Sequence, residues 1–352
     1  MYDDAIQYIY HWDDVQNKPI KKILVCEFIT GGGFNHSDLR PALIEQGQQM
    51  RDALLSDLTH LPYHIITTGD ARLAPTADCN VYYAITIDDD VWQVWEDIIR
   101  TVDAVWFIAP ETDGYLERVT SLVLKHNKIM LGCGLTSIAV CSSKLATYQL
   151  LKQAGLATLE TYLYATWDKA SGIKWLAKPD DGAGCEETVC FNTAEHLERW
   201  ILQNDKGDTY IIQPYLEGNA ASISCVMHDG KAHVLSCNKQ LITLEDNLLV
   251  YKGCIVNGMM SYWKAFEVLA NQIAQLLPDL SGYVGIDLIV NHADAPLLTI
   301  VEINPRLTTS YAGLQAATGE NPAKLIMNTL TQDNFRWPAI QKNEVLLETI
   351  HA

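Results

Sequence analysis

Glu302 and Asn304 stand two residues apart in the run Thr299-Ile300-Val301-Glu302-Ile303-Asn304-Pro305-Arg306. Successive side chains of a strand alternate, so both point to one face, and Asp287 in Gly285-Ile286-Asp287-Leu288-Ile289-Val290 reaches that face from a neighbouring strand. Hard oxygen ligands converging in this way suit magnesium, which keeps water and phosphate oxygens in its shell. Arg306, just past the strand, offers a fork of donors for phosphate oxygens or a substrate carboxylate. A solvated sheet face with Arg306 as the salt-bridge partner explains the same spacing, and spacing alone leaves both readings open.

A second constellation begins at Lys178, the end of an apolar strand, and continues through Pro179, Asp180, Asp181, Gly182, Ala183, Gly184, Cys185 and Glu186. An ammonium there can rest on phosphates, and a Gly-Ala-Gly turn lets backbone N–H groups approach them as a lid. No Gly-Lys-Ser/Thr follows, so this is not a Walker loop. A plain hairpin with an exposed lysine fits equally well. Further on, Ile211-Ile212-Gln213-Pro214-Tyr215-Leu216-Glu217-Gly218 is an apolar strand broken at a proline. An interrupted ladder frees backbone groups to read an adenine edge while Tyr215 and Leu216 cover its faces; an edge strand ending in a turn is the alternative. Lys239, after a strand, is a candidate for the transferred phosphate or a substrate carboxylate, or a surface lysine. Gly31, Gly32 and Gly33 follow the first strand and are expected to line the substrate side of a cleft, a tight turn being the alternative. The ten histidines are dispersed without an HxH pair, which argues against a zinc site.

These residues need elements to position them. Ile23 to Ile29, Tyr63 to Thr67, Tyr82 to Ile87 and Ala104 to Ala109 read as short strands. Helices over Asp38 to Leu58, Asp90 to Arg100 and Gly114 to His126 alternate with them, which predicts a parallel, doubly wound sheet with ligands at the carboxyl ends of its strands. From Ser142 the pattern changes to a helix ending near Ala154, then strands at Trp175 to Lys178, Tyr210 to Gln213, Ala221 to His228, Ala232 to Cys237, Gly285 to Asn291 and Leu298 to Ile303, with a helix at Ala194 to Leu202. That is an α+β body around an antiparallel sheet. The expected division is an extension (1–20), a parallel α/β domain (21–140), a small lid subdomain (141–210), a C-terminal subdomain (211–335) and a tail (336–352).

The chain has 352 residues, 48% of them hydrophobic, and a formal charge of −18, which opposes wide electrostatic binding to nucleic acid or an anionic membrane. No apolar run approaches a membrane span, and the acidic N-terminus is unlike a signal peptide, so a cytoplasmic protein is expected. Nine scattered cysteines without a CxxC pair read as reduced.

The order of the parts resembles the ATP-grasp superfamily, with Glu302-Ile303-Asn304-Pro305-Arg306 its most specific piece and Ser142 to Asn328 the span covered. The resemblance implies an ATP-grasp fold behind an N-terminal parallel-sheet (pre-ATP-grasp) domain. It adds Lys144 to Lys178, Asp181, Gly182, Ala183, Gly184, Gln213, Pro214, Tyr215, Leu216 and Glu217 as ATP-binding residues. It assigns Mg2+, with Mn2+ able to substitute, to Asp287, Glu302 and Asn304, and catalysis to Lys178, Lys239 and Arg306. Two departures stand out: Asn219, Ala220 and Ala221 replace a glutamate that holds the ribose in many relatives, leaving Glu217 or Ser222 as candidates. Gln213 also stands where a glutamate is common. The activity implied is a ligase in which a carboxylate attacks the γ-phosphate and an amine displaces phosphate from the acyl phosphate. Within the superfamily, Gly31 to Gly33, Asp180 to Glu186 and Asn304 to Tyr311 look most like the tyramine-glutamate ligases of methanofuran-type cofactor biosynthesis. Arg306, Thr308, Thr309 and Ser310 would then hold a glutamate-like carboxylate. Implied partners are a small carboxylate, a small amine and a second copy of the chain. Two competing readings are a bicarbonate-activating carboxylase or purine-type ligase, and an ATP-binding regulatory protein; the full metal and lysine set argues against the last.

Overall fold

The computed structural model describes residues 19–169, 173–182, 185, 187–291 and 297–349. Residues 1–18 of the expected extension, and Ala183, Gly184 and Glu186 of the expected lid, lie outside them. Five parallel strands form the first layer: β1 (Lys22–Glu27), β2 (His64–Asp70), β3 (Val81–Ile85), β4 (Ala104–Ile108) and β5 (Ile129–Met130), in the spatial order β3-β2-β1-β4-β5. Buried central strands of this kind are apolar on both faces, and all five residues of β4, Ala-Val-Trp-Phe-Ile, are buried. Helices α1 (Pro41–Thr59), α2 (Val91–Thr101) and α3 (Tyr115–Lys125) cover the layer. Asp90 caps α2, accepting from the N–H groups of Trp92 and Gln93.

Two short helices then lead into the second half, α4 (Leu135–Cys141) and α5 (Lys144–Gln153). The helix expected over Ser142 to Ala154 is α5, which starts two residues later; α4 before it was not expected. Ser143 leaves helical geometry, with φ −112° and ψ 118°, and its side chain accepts from Ala146 N–H as the cap of α5. That cap fixes Lys144 as the first residue of α5.

The second sheet is antiparallel and contains β6 (Tyr162–Leu163), β7 (Trp175–Pro179), β8 (Val189–Phe191), β9 (Tyr210–Pro214), β10 (Asn219–His228), β11 (Lys231–Glu245), β12 (Leu248–Val256), β13 (Gly282–Asn291) and β14 (Leu297–Asn304). Its order is β14-β13-β10-β11-β12-β8-β7-β9-β6, and β15 (Val345–Glu348) adds to β12. Helix α6 (Ala194–Gln203) packs on the β7 to β9 end, where Trp175, Leu197, Ile201, Tyr210 and Ile212 make a small core of their own. Helices α7 (Trp263–Leu276), α8 (Leu314–Thr318) and α9 (Pro322–Thr331) cover the rest. Strands β12 and β15 and helices α7 to α9 were not expected. The expected strand over Ala232 to Cys237 continues to Glu245.

The two layers share cores rather than meeting at a wet seam. One cluster joins Leu24, Phe107 and Ile138 to Val284 and Ile286; the other joins Val25, Leu54 and Trp106 to Tyr283 and Tyr311. Tyr311 also donates to Asp57 on α1 at 2.7 Å. Burial pushes the Asp57 carboxyl up to about 6. All nine cysteines are free thiols, as expected. Among the described residues no helix is long and apolar enough to cross a membrane.

Candidate functional site

A cavity of about 680 Å³ opens between the parallel layer and the antiparallel sheet, within the size range of small-molecule sites. Its floor is the β13–β14 pair, where register sets Asp287 opposite Glu302 and Gly285 opposite Asn304. The face expected from the two-residue spacing is present. Asn304 Nδ2 donates to Asp287 Oδ2 at 3.0 Å, which fixes one end of that carboxylate. Gln240 Nε2, reaching across from β11, donates to Oδ1 at 2.7 Å. Burial and the neighbouring Glu302 charge push the Asp287 carboxyl up to about 8 despite these two bonds.

Helix α5, strand β7 and the first residues of the loop after β7 deliver positive charge and its contacts. Lys144 Nζ, at the start of α5, is 3.8 Å from Glu302 Oε2 and 3.3 Å from the Asp180 carbonyl, and it also donates to the Gly182 carbonyl. Asp180 in turn accepts from Ser143 Oγ and Leu145 N–H, at 2.7 and 2.9 Å, so the lid's first residues are clamped to the helix cap. Lys178 ends β7 inside the cavity; burial lowers its ammonium to about 8, against the attraction of Glu302 and with the repulsion of Lys144. Cys185 borders the same space, its thiol pushed up to about 12 by burial.

Gln213, Tyr215 and Leu216 line one wall with Leu176 and Leu288. Gln213 Nε2 donates to Thr161 Oγ1 at 2.8 Å, while its buried Oε1 has no partner. Ser222 lines the cavity; Glu217 is exposed and outside its lining. Lys239 borders the cavity, but alternation along β11 turns it away from the face on which Gln240 meets Asp287.

The opposite end belongs to the parallel layer and the segment after β14. Leu43, Gln46, Gly47 and Met50 form one face of α1, joined by Glu27, Ile29, Phe34 and Tyr115. Gly31 to Gly33 were expected to line this end, but they form the tight coil behind it. Gly32, at φ +103°, packs on Ile85, and a Cβ there would come within 2.6 Å of it. Thr308, Thr309 and Ser310 do line the cavity. Behind them Tyr283 OH donates to Ser224 Oγ at 2.9 Å and lies 2.8 Å from Thr308 Oγ1, and Ser310 Oγ is 3.0 Å from Ser224 Oγ. Arg306 also lines the cavity, held by Glu111 at 2.9 and 3.1 Å. Gln240, Glu111, Tyr283 and Ser224 were missed in the sequence. Only Gln240 carried a signal, two residues from Asn238 on one strand face.

Oxygen donors dominate the Asp287, Glu302 and Asn304 group, and the raised Asp287 carboxyl marks a place where a further cation would be favoured. Two carboxylates and an amide do not close a protein cage. They fit an ion that completes its shell with water and phosphate oxygens, as magnesium does.

Residues 141–310 match the model of the ATP-grasp domain, and residues 63–138 match that of the pre ATP-grasp 3 domain. The chain therefore belongs to the ATP-grasp superfamily, whose members use ATP with magnesium. It is an enzyme of the carbon–nitrogen ligase kind. It is 26% identical over 317 residues to the tyramine–L-glutamate ligase of Methanocaldococcus fervens, covering 89% of this chain and 95% of that one. Among solved structures, an ATP-grasp superfamily protein from Archaeoglobus fulgidus superposes with a TM-score of 0.68 at 21% identity, over 93% of this chain and all of that one. The L-amino acid ligase of Bacillus licheniformis gives 0.65 at 15% identity, over 90% and 75%. These two likenesses establish the fold.

Proposed function

We propose that the protein is a magnesium- and ATP-dependent carboxylate–amine ligase that works through an acyl phosphate, joining glutamate to tyramine or tyrosine in the making of a methanofuran-like one-carbon cofactor. The observation that carries this reading is the meeting of the Asp287 and Glu302 carboxylates with two buried lysines, Lys178 in the cavity wall and Lys144 within 3.8 Å of Glu302, facing a second end built of apolar and hydroxyl groups. The similarity to tyramine–L-glutamate ligase supports the substrate pair.

In this reading Asp287, Glu302 and Asn304 hold magnesium, which neutralises phosphate charge when bound. Lys144 and Lys178 hold phosphate oxygens, and Lys178 does so as a cation below about pH 8. Phosphoryl transfer needs positioning and charge neutralisation rather than a protein nucleophile. The loop from Asp181 covers the phosphates and keeps water from the acyl phosphate. Arg306 with Thr308, Thr309 and Ser310 orients the carboxylate that attacks. The amine then attacks the acyl carbon, phosphate leaves, and the amine's proton passes to solvent or phosphate.

The test is a mixture of protein, magnesium-ATP, glutamate and tyramine or tyrosine, read by mass spectrometry and ADP release. Amide, ADP and phosphate in equal amounts, with both partners required, are expected. Product from another acid and amine would discard the substrate pair and retain the ligase. ADP release stimulated by bicarbonate in place of an amino acid, with no amide formed, would overturn the reading.

A further inference from the structure

Glu111 lies on the turn that follows β4, is almost wholly buried, and takes no part in the cavity wall. Its Oε2 accepts from both Nε and Nη2 of Arg306, at 3.1 and 2.9 Å, across 195 positions of sequence. Its Oε1 is buried without a partner. Arg306 Nη1 donates to the Leu307 carbonyl at 3.1 Å, so the guanidinium is held along one edge and turns its remaining N–H bonds elsewhere. A buried ion pair with one carboxylate oxygen unused is a poor device for stability alone, because two desolvated charges rarely repay their cost. Arg306 itself borders the cavity beside Asn304 and Thr308. Burial opposes its charge, but Glu111 outweighs that and raises its pKa further above the ordinary value. The residues next to Glu111 touch the start of the loop after β7: Thr112 Oγ1 donates to the Asp181 carbonyl at 3.2 Å, and Asp113 N–H donates to Asp181 Oδ2 at 3.1 Å.

We propose that Glu111 is a positioning residue that holds the Arg306 guanidinium at the angle from which its free edge meets the anionic substrate group. The inference rests on the ligase reading above for what Arg306 meets, but not for the hold itself. A side chain as long as arginine has several rotamers, and a cavity-lining arginine left loose would spread over them. Two donors on one carboxylate oxygen remove that freedom before substrate arrives. The turn carrying Glu111 comes from the parallel layer, whereas Arg306 and the lid come from the other half. Correct placement of the guanidinium therefore depends on the two halves being seated together.

A residue that acts through another gives non-additive effects. Glu111→Ala is expected to lower kcat for amide formation about tenfold or more, with KM for ATP within about twofold of wild type. Glu111→Gln, which keeps an acceptor oxygen and the shape, is expected to lose less. Arg306→Ala should lose more than either, and Glu111→Ala placed on top of Arg306→Ala should cost nothing further. A purely structural Glu111 would instead multiply the two losses, and that result would overturn the proposal, as would wild-type kcat in Glu111→Ala. A second measurement needs no turnover: the exchange rate of the Arg306 Nε–H, assigned by its disappearance in Arg306→Lys. It should rise at least tenfold in Glu111→Ala and less in Glu111→Gln. Unchanged exchange in both would refute the hold. A wild-type protein that made no amide would sink the ligase reading and leave the exchange measurement to decide this one.

Discussion

At one end of the cavity Asp287, Glu302, Lys144 and Lys178 crowd ionisable groups into a space that solvates them poorly; at the other, Tyr283, Ser224, Thr308 and Ser310 close a neutral hydroxyl network. The first end is in conflict by itself: burial pushes the Asp287 carboxyl up to about 8 and pulls the Lys178 ammonium down to about 8. The second is satisfied by itself, each hydroxyl lying within 3.2 Å of another. Such a difference teaches which end needs its ligand. Buried charges that their neighbours offset only in part favour an incoming ion strongly, whereas a closed hydroxyl net favours nothing until a ligand of the right shape displaces one of its bonds.

The largest expected effect comes from removing the conflict. Asp287→Asn should lower ADP release at least about a hundredfold, since a contact to the metal and phosphates is lost. It should also stabilise the ligand-free protein. The Asp287 pKa is higher folded than unfolded, so the folded state binds more protons between about pH 4 and 8, and wild-type stability falls as pH rises through that window. The melting-temperature advantage of Asp287→Asn should therefore be absent near pH 4 and grow towards pH 8. A variant that was inactive and less stable at pH 8 would break the comparison. A smaller effect of opposite sign is expected at the satisfied end. Tyr283→Phe removes one member of the network, leaving Ser224, Thr308 and Ser310 bonded to one another and to Asn238, and should cost about 1 kcal/mol in denaturant unfolding. Its kcat should stay within about threefold of wild type, the KM for the carboxylate substrate rising instead. Loss of kcat without loss of stability would erase the distinction between the ends.

Much of this was legible in the sequence. The parallel layer could be read because its central strands β1 and β4 are buried on both faces and so appear as short apolar runs. The Glu302 and Asn304 face followed from the period of a strand, and the structure adds the register that sets Asp287 opposite Glu302. What stayed hidden was of two kinds. Strand β12 and the outer half of β11 carry half-buried and exposed residues that lack a clean alternation, and α7 lies in a stretch whose apolar residues were not resolved into a helical face. Glu111 and Gln240 meet their partners 195 and 47 positions away, and no local pattern reports a hydrogen bond closed by tertiary folding. Helix α4, seven residues long, is too short to show a helical face in its apolar residues.

The lone Gln213 oxygen has a consequence for which nucleotide the pocket accepts. Thr161 spends its only hydroxyl proton on the Leu159 carbonyl, at 3.0 Å, so towards Gln213 it can present only a lone pair. Gln213 must answer with its NH2, at 2.8 Å, and its amide cannot turn over without breaking that bond. The remaining carbonyl oxygen is a fixed acceptor, suited to the exocyclic amino group of adenine and repelled by the carbonyl that guanine carries in the same place. A glutamate would offer acceptors too, but at the cost of a buried charge. ATP is therefore expected to support turnover at least about tenfold better than GTP, and Gln213→Leu to remove most of that preference. Equal rates with both nucleotides in the wild-type protein would show that the oxygen does not read the base.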